Sequence, residues 1–382
     1  MAGRLIAGGR LVTPDGVLDD GWLLVDNGRI AALGTGEPPR ADERVDAGGG
    51  WVVPGFVDIH CHGGGGQAFM GTDPARARVA VDTHARHGTT TLLASLVSRP
   101  VPELACQIAA LRELVEDGLL AGVHLEGPFL SAARCGAHDP AVLRPPDPDS
   151  VATLLAAGRG AVRMVTLAPE LPGSVDAVRR ITDTGAIAAI GHTDATEAQV
   201  RPAVDAGATV ATHLFNGMRP LHHREPGPVG ALLDDERVTV ELICDLAHLS
   251  PTVVRLAARH AGLNRTVLVT DAIAAAGAGD GAYDIGGLAV VVSDGVPTLA
   301  GGTALAGSSL TMDTAFRNLV TACGLSVPEA VTATATRPAA LLGLSTTTGS
   351  LVKGLAADVV LLNAALRTTA VLRRGTWVTV DP

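Results

Sequence analysis

From residue 51 onward the chain alternates β-branched or apolar runs with Ala-, Leu- and Arg-rich stretches, and that alternation leaves few folds open. Such a pattern predicts βα units around a parallel sheet. Eight runs can be marked, at 51–60, 89–95, 122–126, 163–168, 186–192, 209–214, 239–245 and 267–271. Helix candidates fall between them at 74–87, 102–117, 174–184, 196–206 and 251–261, several opened by Ser, Thr or Pro. The run Ala186-Ile187-Ala188-Ala189-Ile190 is apolar throughout, as a strand covered on both faces requires. Eight units predict a closed (β/α)8 TIM-type barrel, a fold that carries its chemistry at the C-terminal ends of its strands.

The run ends hold His60 and His62, Glu126, His192, His213, Asp245 and Asp271, with Ser95 and Pro169/Glu170 elsewhere. Metal-capable side chains at six of eight ends are improbable for a scaffold that does no chemistry. In a strand, residues i and i+2 share a face, so His60 and His62 project together and Cys61 points away. Alone, that pair would more often be two polar residues at a fraying strand end. Glu126, His192 and His213 add two imidazoles and a carboxylate, which can hold a divalent ion and leave a position for water. Asp271 can take a proton from that water and pass it to a leaving group, or serve as a ligand, or do both. An ion there lowers the pKa of water from about 15.7 toward about 7.

The flanks of the repeat differ. Residues 4–50 read as short strands and turns, with Asn27-Gly28 as a hairpin signal, and strands return after residue 349 at 359–362, 370–372 and 377–380. The expected organisation is a small β-sandwich domain formed by both chain ends, from 1–50 and 346–382, beside a barrel over 51–345. Between barrel and C-terminal strands, hairpin-like segments at 289–293 and 296–299 precede helices at about 309–323 and 327–342.

Composition narrows the function. A net charge of −10 and the lack of a basic run make nucleic acid an unlikely partner. No signal peptide and no run of about 20 apolar residues is visible, so a soluble cytoplasmic protein without a membrane partner is expected. Five scattered cysteines without a C-x-x-C fit reduced thiols. Lys353 is the only lysine among 29 Lys and Arg residues, which removes Schiff-base chemistry, a phosphate-loop lysine and a lysine bridging two metals.

Three further groups bear on a substrate. The loop after Glu126, with Cys135-Gly136-Ala137-His138, can close over a ligand and carry His138 inward. The segment from Asn216 and Gly217 to Arg224 supplies amides, arginines and histidines that suit an anion, or a plain solvated loop. His248 is a similar candidate, whereas His84, His87 and His260 are expected to face solvent on outer helices.

Together, Pro-Gly-Phe-Val-Asp-Ile-His-Cys-His-Gly from Pro54, His-Leu-Glu-Gly-Pro-Phe (124–129), Gly-His-Thr-Asp-Ala-Thr (191–196), Thr-His-Leu-Phe-Asn-Gly-Met (212–218), Val-Thr-Asp-Ala (269–272) and Leu-Ala-Gly-Ser (305–308) resemble the N-acetylglucosamine-6-phosphate deacetylases of the metal-dependent amidohydrolase superfamily. The resemblance covers nearly the whole chain. It implies deacetylation of N-acetyl-D-glucosamine 6-phosphate to D-glucosamine 6-phosphate and acetate in amino-sugar catabolism and recycling, with Glu126, His192 and His213 as metal ligands and Asp271 as acid/base. Ala137, His138, Asn216, Gly217, Arg224, His248 and the backbone of Leu305, Ala306 and Gly307 are implied to contact the sugar phosphate. Retention of His60 and His62 implies a second ion, bridged by Glu126. The cofactor is then one or two divalent ions per subunit, zinc first, with iron, cobalt or manganese also suited to these ligands. A homodimer is implied as well. The alternatives are a related hydrolase of cyclic amides or dipeptides and a catalytically silent barrel used as a binding module.

Overall fold

The structure, a computed structural model, describes residues 3–379. Its chain divides into two compact units, one of residues 1–58, 82–91 and 311–382, the other of residues 59–81 and 92–310.

The barrel strands are β1 (Phe56–Asp58), β2 (Thr89–Val97), β3 (Gly122–Glu126), β4 (Val162–Leu167), β5 (Ile187–Ile190), β6 (Val210–Ala211), β7 (Thr239–Ile243) and β8 (Thr266–Val269). They neighbour one another in sequence order, in one sheet of eight. The sheet curls to near closure, where Asp271 N–H donates to His60 O at 2.9 Å and Cys61 pairs with Ala272 in parallel. This is the (β/α)8 barrel that the alternation predicts. Every residue of β3, β7 and β8 is buried, as near-continuous apolar runs demand.

The connecting helices include all five expected segments, plus Pro148–Gly158 and Gly227–Asp234. Pro148–Gly158 begins where the Asp147 carboxylate accepts the Ser150 N–H at 2.9 Å, capping a free donor of the first turn. His84, expected to face solvent, is instead fully buried. It continues the buried positions Ala77, Ala80 and Val81 at helical spacing, so the inner face of helix Pro74–Arg86 claims it.

The run at 51–60 does not form one strand. Trp51–Pro54 joins a different sheet, and Gly55 separates it from β1. A Cβ at Gly55 would lie 2.2 Å from Thr90 Oγ1, so only glycine permits that approach.

Both chain ends build the small β domain. Trp51–Pro54 pairs in parallel with Arg4–Thr13 and antiparallel with Val359–Leu362, which joins early and late strands in one eight-stranded sheet. Gly16–Asp26 and Arg29–Gly34 extend it on one side, Thr368–Arg373 and Thr376–Val378 on the other. Its core gathers Ile6, Leu11, Leu23, Ile30, Val52, Val359 and Leu372. The expected strand end at Val380 lies outside the described residues.

After β8, the strands Gly281–Ile285, Leu288–Ser293 and Val296–Leu299 form a separate antiparallel sheet. Ile285, Val290 and Val292 pack with Val97, Ala137, Ile273 and Ala306, which seats that sheet beside the strand-end loops.

Candidate active site

Six side chains from five strand ends converge. Glu126 is the last residue of β3, while His192, His213 and Asp271 each stand two residues past the ends of β5, β6 and β8. These last three have φ of 47°, 30° and 49°. That left-handed backbone is costly for residues with a Cβ and clusters at functional sites. His60 and His62 follow β1 with no such turn.

Glu126 Oε1 lies 3.0 Å from His192 Nε2 and 2.9 Å from His213 Nε2, and those two nitrogens are 3.0 Å apart. Glu126 Oε2 lies 3.2 Å from His62 Nε2. Asp271 Oδ1 is 3.2 Å from His62 Nε2 and 3.4 Å from His60 Nε2. The Nε2 atoms of His60 and His62 are 3.1 Å apart. All six side chains are buried.

The rear nitrogens explain this aim. His62 Nδ1 donates to Ser95 O at 3.2 Å and His192 Nδ1 to Arg134 O at 2.8 Å. Each such bond places the ring proton at the back and turns the Nε2 lone pair inward. Lone pairs meeting nitrogen to nitrogen repel unless a proton or a cation lies between them. Donors bound to one ion at roughly 2.0–2.1 Å would stand about 3.3 Å apart at tetrahedral angles. Two overlapping donor sets meet this condition, His60, His62, Glu126 and Asp271, and Glu126, His192 and His213. The residues fit a divalent metal.

Charge tells the same story. Burial works against protonating His60, His62 and His192, yet the Glu126 and Asp271 carboxylates outweigh it and raise all three. Burial would raise Glu126 and Asp271, but the surrounding imidazoles hold both below the usual carboxylate range. His138 behaves oppositely. Burial pushes it down to about 4, ahead of the pull of Glu126. Its Nδ1 accepts the Ser98 N–H at 3.2 Å, so the ring proton sits on Nε2, 3.3 Å from Glu126 Oε2. His138 is therefore a neutral donor facing the cluster.

A cavity of about 240 Å³ opens over these groups. Ala137, His138, Asn216, Gly217, His248, Leu305 and Gly307 line it, together with Gly136 and Ile285, which the sequence had not singled out. Ala306 is fully buried in the apolar cluster behind the lining. Arg224 is exposed and not among the lining residues, with its guanidinium 2.8 Å from His223 Nε2. Asp245 joins neither donor set and instead holds His248 Nδ1 at 2.6 Å. Burial disfavours the His248 cation, but Asp245 prevails and raises its pKa.

A sequence profile of the amidohydrolase family matches residues 51–378. The chain belongs to the amidohydrolase family. This amidohydrolase is 36% identical over 371 residues to the N-acetylgalactosamine-6-phosphate deacetylase of Escherichia coli O157:H7, covering 96% of the chain and 97% of that protein. It is 37% identical over 389 residues to the human N-acetylglucosamine-6-phosphate deacetylase, covering 97% and 93%. Among solved structures, it matches a mutant N-acetyl-D-glucosamine-6-phosphate deacetylase of Mycobacterium smegmatis in complex with N-acetyl-D-glucosamine-6-phosphate, with a TM-score of 0.95 and 44% identity over all of both chains. An enamidase at 18% identity and a TM-score of 0.63 shares the fold.

The site also holds residues that sequence reasoning missed. Arg134, Ser98 and Glu241 all orient histidine rings. Arg134 acts through a backbone carbonyl, which side-chain identity does not announce, and Ser98 through its backbone amide together with its hydroxyl, 2.9 Å from His138 Nδ1. Glu241 did carry a signal, since it is an acidic residue inside an otherwise apolar or β-branched run.

Proposed function

We propose that this chain hydrolyses the N-acetyl amide of N-acetyl-D-glucosamine 6-phosphate, giving D-glucosamine 6-phosphate and acetate. The reading rests on one observation: six metal-capable side chains meet beneath a cavity that also receives His138 and His248. The names borne by the full-length relatives support the substrate class. Glu126, His192 and His213 would hold one divalent ion, and His60, His62 and Asp271, sharing Glu126, a second, with zinc the first choice for such ligands. Bound there, a divalent ion acidifies water and polarises a carbonyl.

The chain's own groups supply the rest. Asp271, held ionised by the neighbouring imidazoles, accepts a proton from the attacking water and returns it to the departing nitrogen. The water oxygen bonds to the acetyl carbon as the C–N bond breaks, and the amine leaves with the proton. His138, neutral and protonated on Nε2, donates to the acetyl oxygen as its charge grows. His248 provides positive charge for the phosphate, and Arg224 joins it only by moving in from the exposed loop. Ala137, Asn216, Gly217 and the backbone of Leu305 and Gly307 seat the sugar, with Ala306 packed behind them.

A homodimer in the cytoplasm completes the proposal, and five unbridged cysteines are in keeping with a reducing compartment. Among the described residues no helix is long and apolar enough to cross a membrane. A second reading, the 4-epimer N-acetyl-D-galactosamine 6-phosphate, is favoured by the E. coli relative. Metal quantitation and acetate release from the two phosphorylated epimers and from unphosphorylated N-acetylglucosamine test both. Equal rates with and without the 6-phosphate, or no bound metal, would overturn the proposal, while faster turnover of the galactosamine epimer would select the second reading.

A further inference from the structure

Glu241 lies at the centre of β7, a strand that contributes nothing to either donor set, and it is fully buried. Its Oε2 accepts the His213 N–H at 3.1 Å and stands 3.1 Å from His60 Nδ1. Its Oε1 has no hydrogen-bond partner among the described residues. A carboxyl group withdrawn from water with one oxygen idle is a net cost to folding. An apolar residue would suit the strand better if packing were the only demand.

We propose that Glu241 is the positioning residue that makes His60 a metal ligand, and so decides whether the His60/His62/Asp271 position fills beside the Glu126/His192/His213 position. As a carboxylate, Glu241 only accepts hydrogen bonds, so the contact puts the His60 proton on Nδ1. The Nε2 lone pair then faces His62, Glu126 and Asp271 at 3.1, 3.5 and 3.4 Å. The other rear nitrogens are held differently. His62 and His192 donate to backbone carbonyls, and His213 Nδ1 is buried with no hydrogen-bond partner among the described residues. Of the four ligand histidines, only His60 leans on a carboxylate among the described residues, the partner that most raises the basicity of a ligating imidazole. The same oxygen also anchors the backbone of His213, so one atom ties the first donor set to the strand end that feeds the second.

The inference rests on the divalent-metal reading of the site, and the test separates the two. Wild type, Glu241→Gln and His60→Gln, each as the full chain, are dialysed against a series of zinc buffers, and bound zinc per chain is measured. The expected result is two ions in wild type and one retained at wild-type affinity in Glu241→Gln, with the other weakened about 10- to 100-fold. Glu241→Gln/His60→Gln should lose no more than His60→Gln alone. Two ions at wild-type affinity in Glu241→Gln would overturn the inference, as would a single ion in wild type. No ion in wild type would instead overturn the proposed function. Should Glu241→Gln fail to fold, long-range ¹⁵N–¹H correlation spectra of zinc-loaded wild type decide, with the His60 signal identified by its loss in His60→Gln. A ring protonated on Nδ1 supports Glu241, and one protonated on Nε2 overturns its role.

Discussion

Two kinds of backbone deliver the donor groups. His60 and His62 emerge from the chain after β1 with ordinary geometry, aimed by two-residue spacing and braced from behind by Glu241 and Ser95. His192, His213 and Asp271 instead stand in left-handed backbone just past their strands, and His213 Nδ1 has no hydrogen-bond partner among the described residues. The first pair is aimed by its spacing and by the hydrogen bonds behind its rings, while the other three stand on conformational strain that the fold must over-determine, His192 with the Arg134 carbonyl behind it as well. Substitutions should separate the two designs, because bracing can be removed one hydrogen bond at a time whereas strain is released only by moving the chain.

The largest effect is expected where a strained position carries the proton. Asp271→Asn should lower kcat by about 10²- to 10⁴-fold, the range for a lost general acid/base, with metal still bound at the Glu126/His192/His213 position. Near-normal turnover of metal-loaded Asp271→Asn would show that strain at Asp271 serves ligation alone. His138→Ala comes next. Loss of one donor to a developing oxyanion costs about 10²- to 10³-fold in kcat, and bound metal should not change. If zinc content fell instead, His138 would belong with the ligands.

A smaller effect tests the turn itself. Gly217 has φ +59° and its added Cβ would lie 2.9 Å from His192 Nδ1. Gly36, in the β domain, has φ +79°, and a Cβ added there would have no atom of the described residues within 4 Å. Both Gly→Ala changes should lose about 1–2 kcal/mol to the left-handed backbone, but only Gly217→Ala should also weaken zinc binding. Thermal melts and zinc titration read the two terms separately. Equal zinc affinity in both variants would mean that His192 is not held where the turn puts it.

This contrast also explains what could be read without coordinates. The His60/His62 pair follows from alternation, and Glu126 from its place at the end of a buried run, so those aims were visible. The runs at 186–192, 209–214 and 267–271 overshoot, because β5, β6 and β8 stop at Ile190, Ala211 and Val269. Apolar patterning registers burial, and the residues after each strand stay buried while the backbone turns over. Positive φ at His192 leaves no mark in the composition. Helix Gly227–Asp234 shows little in the sequence, being only 8 residues long and opening on Gly227-Pro228 directly after Pro226. Glu241 was the reverse case, plainly visible as a charge in an apolar run but unreadable as a partner until β7 was set beside His60.

The gentlest probe is pH on metal-free protein. His60, His62 and His192 are raised in the fold, so protonation stabilises the native state fully below the ordinary imidazole pKa of about 6.5. That contribution is lost as pH rises through the raised values. Glu126 and Asp271 are depressed, so their contribution is present above about pH 4 and disappears only as pH falls through the lowered values. Metal-free protein should therefore be most stable between these limits and melt progressively lower above about pH 6.5. Metal-loaded protein should lack the alkaline fall, because a cation takes the place of the protons and binds more tightly as they leave. Removing either His60 or His192 should flatten the alkaline limb, since the fold raises both. Melting curves of metal-free His60→Gln and His192→Gln from pH 6 to 9 decide this. A limb left unchanged by either substitution would mean that the missing imidazole holds none of the proton's binding energy.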